Sequence, residues 1–250
     1  MFPTKNSNAL FLIFIGITIF SASSSAVLFK KAMTESSPDI HKPVDTSVDL
    51  NSLIISACKI LGSTYITDDG FSHVKGDACI SPGVADTVYP SWILHAKDTT
   101  SLTSLNDSKI LYNTIKATVT GCITISVDLG TINQTTDPDG VTGHLTPGCY
   151  IFTATATFSG RLSLDGPGQY TFNVGSTFIT GAGAKMVLAT GALKGSIFWA
   201  VGSSMTIGSK SIMIGTFIAN EAIGVNNSKV TGSLKSLTSS VNLASSEILV

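Results

Sequence analysis

Charge is scarce in this chain. Only 12% of its 250 residues are Asp, Glu, Lys or Arg, about half the share usual in a globular domain. Fifteen basic and sixteen acidic residues leave a formal net charge of −1, which offers no electrostatic footprint for nucleic acid or an anionic membrane surface. Arg161 is the sole arginine, so bidentate guanidinium clamps for phosphate or carboxylate are nearly excluded. The four histidines (His41, His73, His95, His144) are scattered, with no HExxH and no cysteine at zinc spacing. No Gly-rich loop leads into a phosphate-binding Lys-Ser/Thr. Carboxylates are equally thin: from Tyr150 onward only Asp165, Glu221 and Glu247 occur, whereas polysaccharide cleavage needs two or three converging on one face. Asp165 in "LDGPG" reads as a turn residue, and Asp68–Asp69 and Asp137/Asp139 each precede a Gly in the manner of solvated turns. These absences argue against an enzyme, a metal site or any cofactor. Disorder is disfavoured too, because it needs high charge with low hydrophobicity.

The N-terminus has what the rest lacks, a long apolar run. After a single Lys5, residues 9–20 form an uninterrupted apolar run that leads into "SASSSA", the layout of a secretory signal cleaved after Ala22 or Ala26. The competing reading is an uncleaved signal-anchor over residues 9–29, long enough to cross a bilayer. Any membrane association is expected there alone. We assign residues 1–29 to this signal or anchor and 30–50, polar with two prolines, to a linker. A single domain then occupies residues 51–250. A cleaved signal or an exported signal-anchor places that domain outside the cell, secreted or surface-anchored, which is the expectation; Lys30 and Lys31 beyond the run favour the rival, an anchor with its far end cytosolic.

Four cysteines, Cys58, Cys79, Cys122 and Cys149, allow three disulfide pairings in an oxidising compartment. Pairing sequence neighbours would close loops of moderate length, worth about 3 kcal/mol each; four free thiols are the alternative. Sequons at Asn106, Asn133 and Asn226 are compatible with export.

Most of the domain alternates short apolar stretches with Gly, Asp or Pro, the pattern of short strands. One segment differs. Between residues 97 and 116, Leu102, Leu105, Ile110 (or Lys109), Tyr112 and Ile115 recur at helical spacing, no Gly or Pro intervenes, and Asp98 or Thr99 can cap the start. Further on, "TFNVGSTFITGAGAKMV" superimposes on "FWAVGSSMTIGSKSIMI" at a constant offset of 27 residues. Val174-Gly175-Ser176 falls on Val201-Gly202-Ser203, and Met186 on Met213. A repeat of this length, made of strands and Gly turns, predicts a β-solenoid whose stacked coils share one core. Alternation sends one of Phe198 and Trp199 inward. Phe198 is taken as the core residue, leaving Trp199 to meet the helix or a partner.

The segment "LTPGCYIF", the following "FSGRLSLDGPGQYTFNVGSTFITGAGAKMVLATGALKGSIFWAVGSSMTIG" and the closing "GTFIANEAIGVNNSKVTGSLKSLTSSVNLASSEI" resemble the ice-binding-like (DUF3494) family, as does the upstream "LGSTYITDDGFSHVKGDACISPGV". The resemblance covers roughly residues 50–250. It implies an all-β fold with one long α-helix: a right-handed, discontinuous β-solenoid of triangular cross-section, the helix packed alongside. It further implies a secreted or surface-anchored protein without cofactor that adsorbs to an ice crystal surface through a flat face rich in Thr and Ser; a monomer is expected. Candidate ice-binding residues are Thr177, Thr180, Ser203, Ser204, Thr206, Thr216, Asn226, Thr231 and Ser233. Against them stand Lys185, Lys194, Lys210, Glu221 and Lys229, whose hydration shells would spoil such a face. The rival reading is a non-catalytic adhesion or structural module that kept the fold and lost the ice plane.

Overall fold

A single coil of three- to five-residue strands exposes both edges of its backbone and cannot bury its apolar side chains; stacking removes both problems. In the computed structural model, which describes residues 50, 58–83, 92–132 and 143–250, every strand pairing is parallel. The N-terminal signal or anchor, the linker short of Leu50, the sequon at Asn133 and the Asp137/Asp139 pair lie outside the described residues. The compact unit containing the described residues runs Val48–Val250. Leu50 already belongs to it, buried, with its N–H donated to Gln169 Oε1 at 3.1 Å.

The 27-residue offset is the real rung between two coils. Val174 pairs with Val201, Phe178 with Met205 and Lys185 with Ile212. The next coil is shorter, since Met205 pairs with Ile223, 18 residues on. The longer coil contains the excursion of residues 190–196, ending in the 3-10 turn Lys194–Ser196. Its shorter successor instead turns the same corner within one strand, Ile212–Ala219. That strand begins beside Lys185 and finishes beside Phe198–Val201, so it lies on two sides of the solenoid. The bend falls at Gly215, whose partner in the next coil is Gly232, with φ of 127° and 141°. A Cβ at Gly232 would lie 1.9 Å from the Gly215 carbonyl oxygen, so the two corners stack this closely only without side chains. The Val-Gly-Ser repeat works similarly: a Cβ on Gly202 would sit 2.2 Å from the oxygen of Gly175.

Three sides result. One is a separate six-stranded sheet; the other two are halves of a 14-stranded sheet folded over these corners. Order along the stack is not order along the chain. The first coil pairs with the last, Ile60 with Leu234, Ile66 with Val241 and Val74 with Ile248, so N- and C-terminal segments share all three sides.

Inside, Tyr150, Phe172, Trp199 and Phe217 occupy one register position in four successive coils, with centroid separations of 5.5, 3.8 and 5.6 Å. This reverses the expectation for "FW". Trp199 is the interior residue, and Phe198 joins the cluster of Leu105, Leu111 and Ile115 under the helix. Alternation separates the two rings but does not say which goes in; the aromatic at the Phe172 rung selects Trp199.

The helix spans Thr99–Ala117, capped by Asp98, which accepts the Ser101 N–H at 2.8 Å. Its buried face is Ser101, Ser104, Leu105, Ser108, Leu111 and Ile115, while Leu102 and Ile110 are about half exposed. The expected apolar stripe is therefore displaced. Serines let the helix backbone approach the sheet closely, and Ser108 satisfies its hydroxyl on the Ser104 carbonyl at 2.6 Å. Of the three pairings, the disulfides are Cys58–Cys79 and Cys122–Cys149. The first lies in the same buried cluster as the helix residues.

Lys235 is also buried beneath this helix, 3% exposed. Its Nζ donates to the Cys58 carbonyl and reaches Ser104 Oγ at 3.5 Å. Burial lowers its pKa to about 7; Lys59 pushes the same way and Asp107 opposes. The unfolded chain therefore binds the extra proton between about pH 7 and the ordinary lysine value of 10.5, so stability rises with pH across that window. Lys235→Met should remove the dependence, with a melting temperature several degrees above wild type at pH 6 and converging with it near pH 10. Parallel melting curves for the two proteins at both pH values would contradict this.

Candidate functional site

The six-stranded side stacks Ala156–Phe158, Phe178–Thr180, Met205–Ile207, Ile223–Asn226, Val241–Ala244 and Ile66–Asp68, in that order. Its strands are short, with apolar residues inward at the alternate positions. The outward positions form three rows. The central row is Thr157, Ile179, Thr206, Gly224, Asn242 and Thr67. Two residues earlier on each strand stand Thr155, Thr177, Ser204, Ala222, Ser240 and Tyr65, of which Ser240 is buried; two later stand Ser159, Gly181, Gly208, Asn226, Ala244 and Asp69. Within each row neighbours are about 4.8 Å apart, the spacing of any sheet. The rows are locally ordered as well: Thr67 Oγ1 donates to Asn242 Oδ1 at 2.7 Å, and Asn242 Nδ2 to Ser240 Oγ at 3.1 Å.

Charge is confined to the margins. Asp69, in the last coil of the stack, accepts from the N–H and hydroxyl of Ser245 at 2.9 and 2.7 Å. Those bonds, the backbone one foremost, lower its pKa to about 2. At the opposite end Asp128 accepts from the N–H and hydroxyl of Ser159, both at 2.9 Å. Hydrogen bonds from Ser159, Gly130 and Thr157 outweigh partial burial and hold its carboxyl below the usual range. Glu221 marks one long edge and Lys210 the turn at the other.

The side opposite in chemistry carries the lysines. A single outward row there runs Arg161, Lys185, Ile212, Lys229, Glu247 and His73, with Lys229 and Glu247 paired at 3.1 Å. The third side is covered by the helix.

The sequence candidates divide among these sides. Thr177, Ser204, Thr206 and Asn226 stand outward on the uncharged side. Ser203 lies at its edge, where its hydroxyl and that of Ser204 both donate to Glu221 Oε2, at 2.9 and 3.1 Å. Thr180 ends its strand buried; its hydroxyl bridges the Gly208 N–H and Ser211 Oγ. Thr216 and Ser233 are neighbours on the helix side, and Thr231 belongs to the charged side between Ile214 and Leu249. Residues 155, 157, 159, 67, 222, 240, 242 and 244 are further small or polar members of the rows that were not among the candidates. The alternation "TATATF" could have revealed the first two; the others depend on knowing that coil lengths differ.

Among the described residues no group of three or more His, Cys, Asp or Glu side chains is placed to hold a metal ion. Asp165 does more than turn the chain: it contacts His144 Nδ1 at 2.6 Å and accepts from Ser163 Oγ at 2.9 Å. The carboxylate stands between hydroxyl and imidazole, so the serine donates to Asp165 and not to a histidine base, as nucleophilic catalysis requires.

Comparison with known proteins bears on the family and the fold. The sequence model of the family described as ice-binding-like matches residues 60–249. An ice-binding protein of Nostoc sp. (strain HG1) is 28% identical over 179 residues, covering 67% of this chain and 62% of that relative, so the likeness spans under two thirds of the relative's length. A solved ice-binding protein from an Antarctic biological consortium has a TM-score of 0.72 at 26% identity, covering 86% of this chain and 96% of its own. One from the Antarctic ascomycete Antarctomyces psychrotrophicus has a TM-score of 0.70 at 27% identity, with coverage of 82% and 98%.

Proposed function

This chain belongs to the ice-binding-like family, and we propose that it adsorbs to ice through its uncharged six-stranded side. The observation that carries the reading is the composition of the three outward rows, in which Asp69 is the lone charged residue and sits in the end coil. A charged side chain holds its own hydration shell, whereas hydroxyls anchor waters that neighbouring methyl groups cage. Rungs about 4.8 Å apart repeat that arrangement over six coils. Each contact is weak. Because the sheet is ordered beforehand, many contacts add without a further ordering cost.

The rows are imperfect, with Gly224 and Gly208 bare and Ile179 projecting 43% exposed. Inhibition of recrystallisation with modest freezing-point depression is the activity that such a plane supports. A monomer suffices, since one chain supplies every row. The two disulfides favour an oxidising compartment, which suits a secreted or surface-anchored protein.

Ice-affinity partitioning of the purified protein tests the reading: it should enrich in the ice fraction, and exclusion from ice abandons the proposal. Thr231→Tyr, on the charged side, should partition like wild type. Glu221→Ala should raise thermal hysteresis modestly, because it removes an edge carboxylate and releases the Ser203 and Ser204 hydroxyls to water. A fall in hysteresis with unchanged melting temperature would place Glu221 within the binding plane instead.

A further inference from the structure

The uncharged side changes character halfway along its stack. The strands Ala156–Phe158, Phe178–Thr180 and Met205–Ile207 present Thr155 and Thr157, Thr177 and Ile179, and Ser204 and Thr206 in the first two rows. All but Ser204 are β-branched, which fixes χ1 before anything binds. At the same positions the next three strands present Ala222 and Gly224, Ser240 and Asn242, and Tyr65 and Thr67. Only Thr67 is β-branched there.

Hydrogen bonding divides at the same place. Beyond the midpoint the polar groups satisfy one another, Thr67 on Asn242 and Asn242 on buried Ser240. In the first three coils Asp128 engages Thr157 and Glu221 engages Ser204. The hydroxyls of exposed Thr155 and Thr206 and half-buried Thr177 have no partner among the described residues. Asn226 also has an unbonded amide, but its row neighbours are Gly208 and Ala244, so it extends no array. The backing differs as well. Phe158, Phe178 and Met205 lie buried behind the first three coils, with Phe178 against Trp199 at 4.8 Å. Behind the last coil Asp68 follows outward Thr67 on the inward side of its strand, its Oδ1 buried without a hydrogen-bond partner among the described residues, a cost to the firmness of that end.

We propose, on the premise that the uncharged side meets ice, that these first three coils carry the adsorption. Thr155, Thr177 and Thr206 anchor lattice waters, and Thr157 and Ile179 complete the methyl cage. Hydroxyls already bonded within the protein have less to offer a lattice water, and side chains with χ1 fixed lose little freedom on contact. The remaining three coils lie beside the lattice and hold it weakly.

Two triple variants separate the halves. Thr155→Ala/Thr177→Ala/Thr206→Ala should lower thermal hysteresis by roughly fivefold, because weak contacts act together. Thr67→Ala/Asn226→Ala/Asn242→Ala removes as many polar side chains and should cost less than about twofold. Melting curves check that both fold; if either triple folds poorly, Thr177→Ala and Asn242→Ala serve instead, with the larger loss expected in Thr177→Ala. Equal losses, or a larger loss in the second triple, overturn the three-coil zone and leave adsorption through this side standing. Full activity in both triples also overturns the zone, and full activity in Thr206→Tyr as well would overturn the choice of side. Exclusion of the wild type from ice removes the premise itself.

Discussion

Replacing Thr206 by Tyr should cut thermal hysteresis roughly tenfold, because many weak contacts must engage together, while leaving the fold intact. Thr206 occupies the central row and the middle of the stack, flanked by Ile179 and Gly224. A tyrosine ring there would stand above its neighbours and hold a flat lattice off the sheet on either side. Its side chain is exposed, so the cost to stability should stay within about 0.5 kcal/mol, and melting should be unchanged. The paired measurement matters. Hysteresis equal to wild type in Thr206→Tyr would show that ice does not meet this side. If Thr231→Tyr lost activity instead, the charged side would be implicated.

The largest effect on stability should come from Trp199→Ala. Its ring stacks on Phe172 at 3.8 Å and packs between Phe217 in the next coil and Phe178 beneath the uncharged side. Truncation leaves a cavity at the centre of the aromatic column, at a cost of about 3–5 kcal/mol, or a fall in melting temperature on the order of 10 °C for a domain of this size. Phe178 adjoins Ile179 of the central row, so slackening there should also reduce hysteresis at temperatures well below melting. Trp199→Phe should cost far less. It keeps a ring in the column and removes the buried indole N–H, which has no acceptor among the described residues. A melting temperature for Trp199→Ala within about 3 °C of wild type would mean that the column does not organise the core.

Much of the fold was legible because it rests on local rules. Gly175 and Gly202 mark corners where one backbone crosses close above another, and the constant offset around them is the rung itself. The helix was legible from its spacing and cap, yet its buried face was misplaced, because serines make the contact and read as polar surface. Trp199 and Phe198 were exchanged for a related reason. Strand alternation carries a period and no sign, and the sign came from Phe172 one coil away.

The candidate plane was harder to read. Thr177, Ser204, Thr206 and Asn226 were found from their outward type, but Thr180, Thr216, Thr231 and Ser233 have the same composition and lie elsewhere. By itself the sequence determined a low-charge stack of short parallel coils with a helix, because composition, turn residues and repeat length act locally along the chain. Only the tertiary structure decided which residues share a side. Coils of 27 and 18 residues place equal sequence positions on different faces, and the first coil stacks on the last. The neighbours on that face are hydrogen-bonded across the stack, through contacts that no local pattern along the chain encodes.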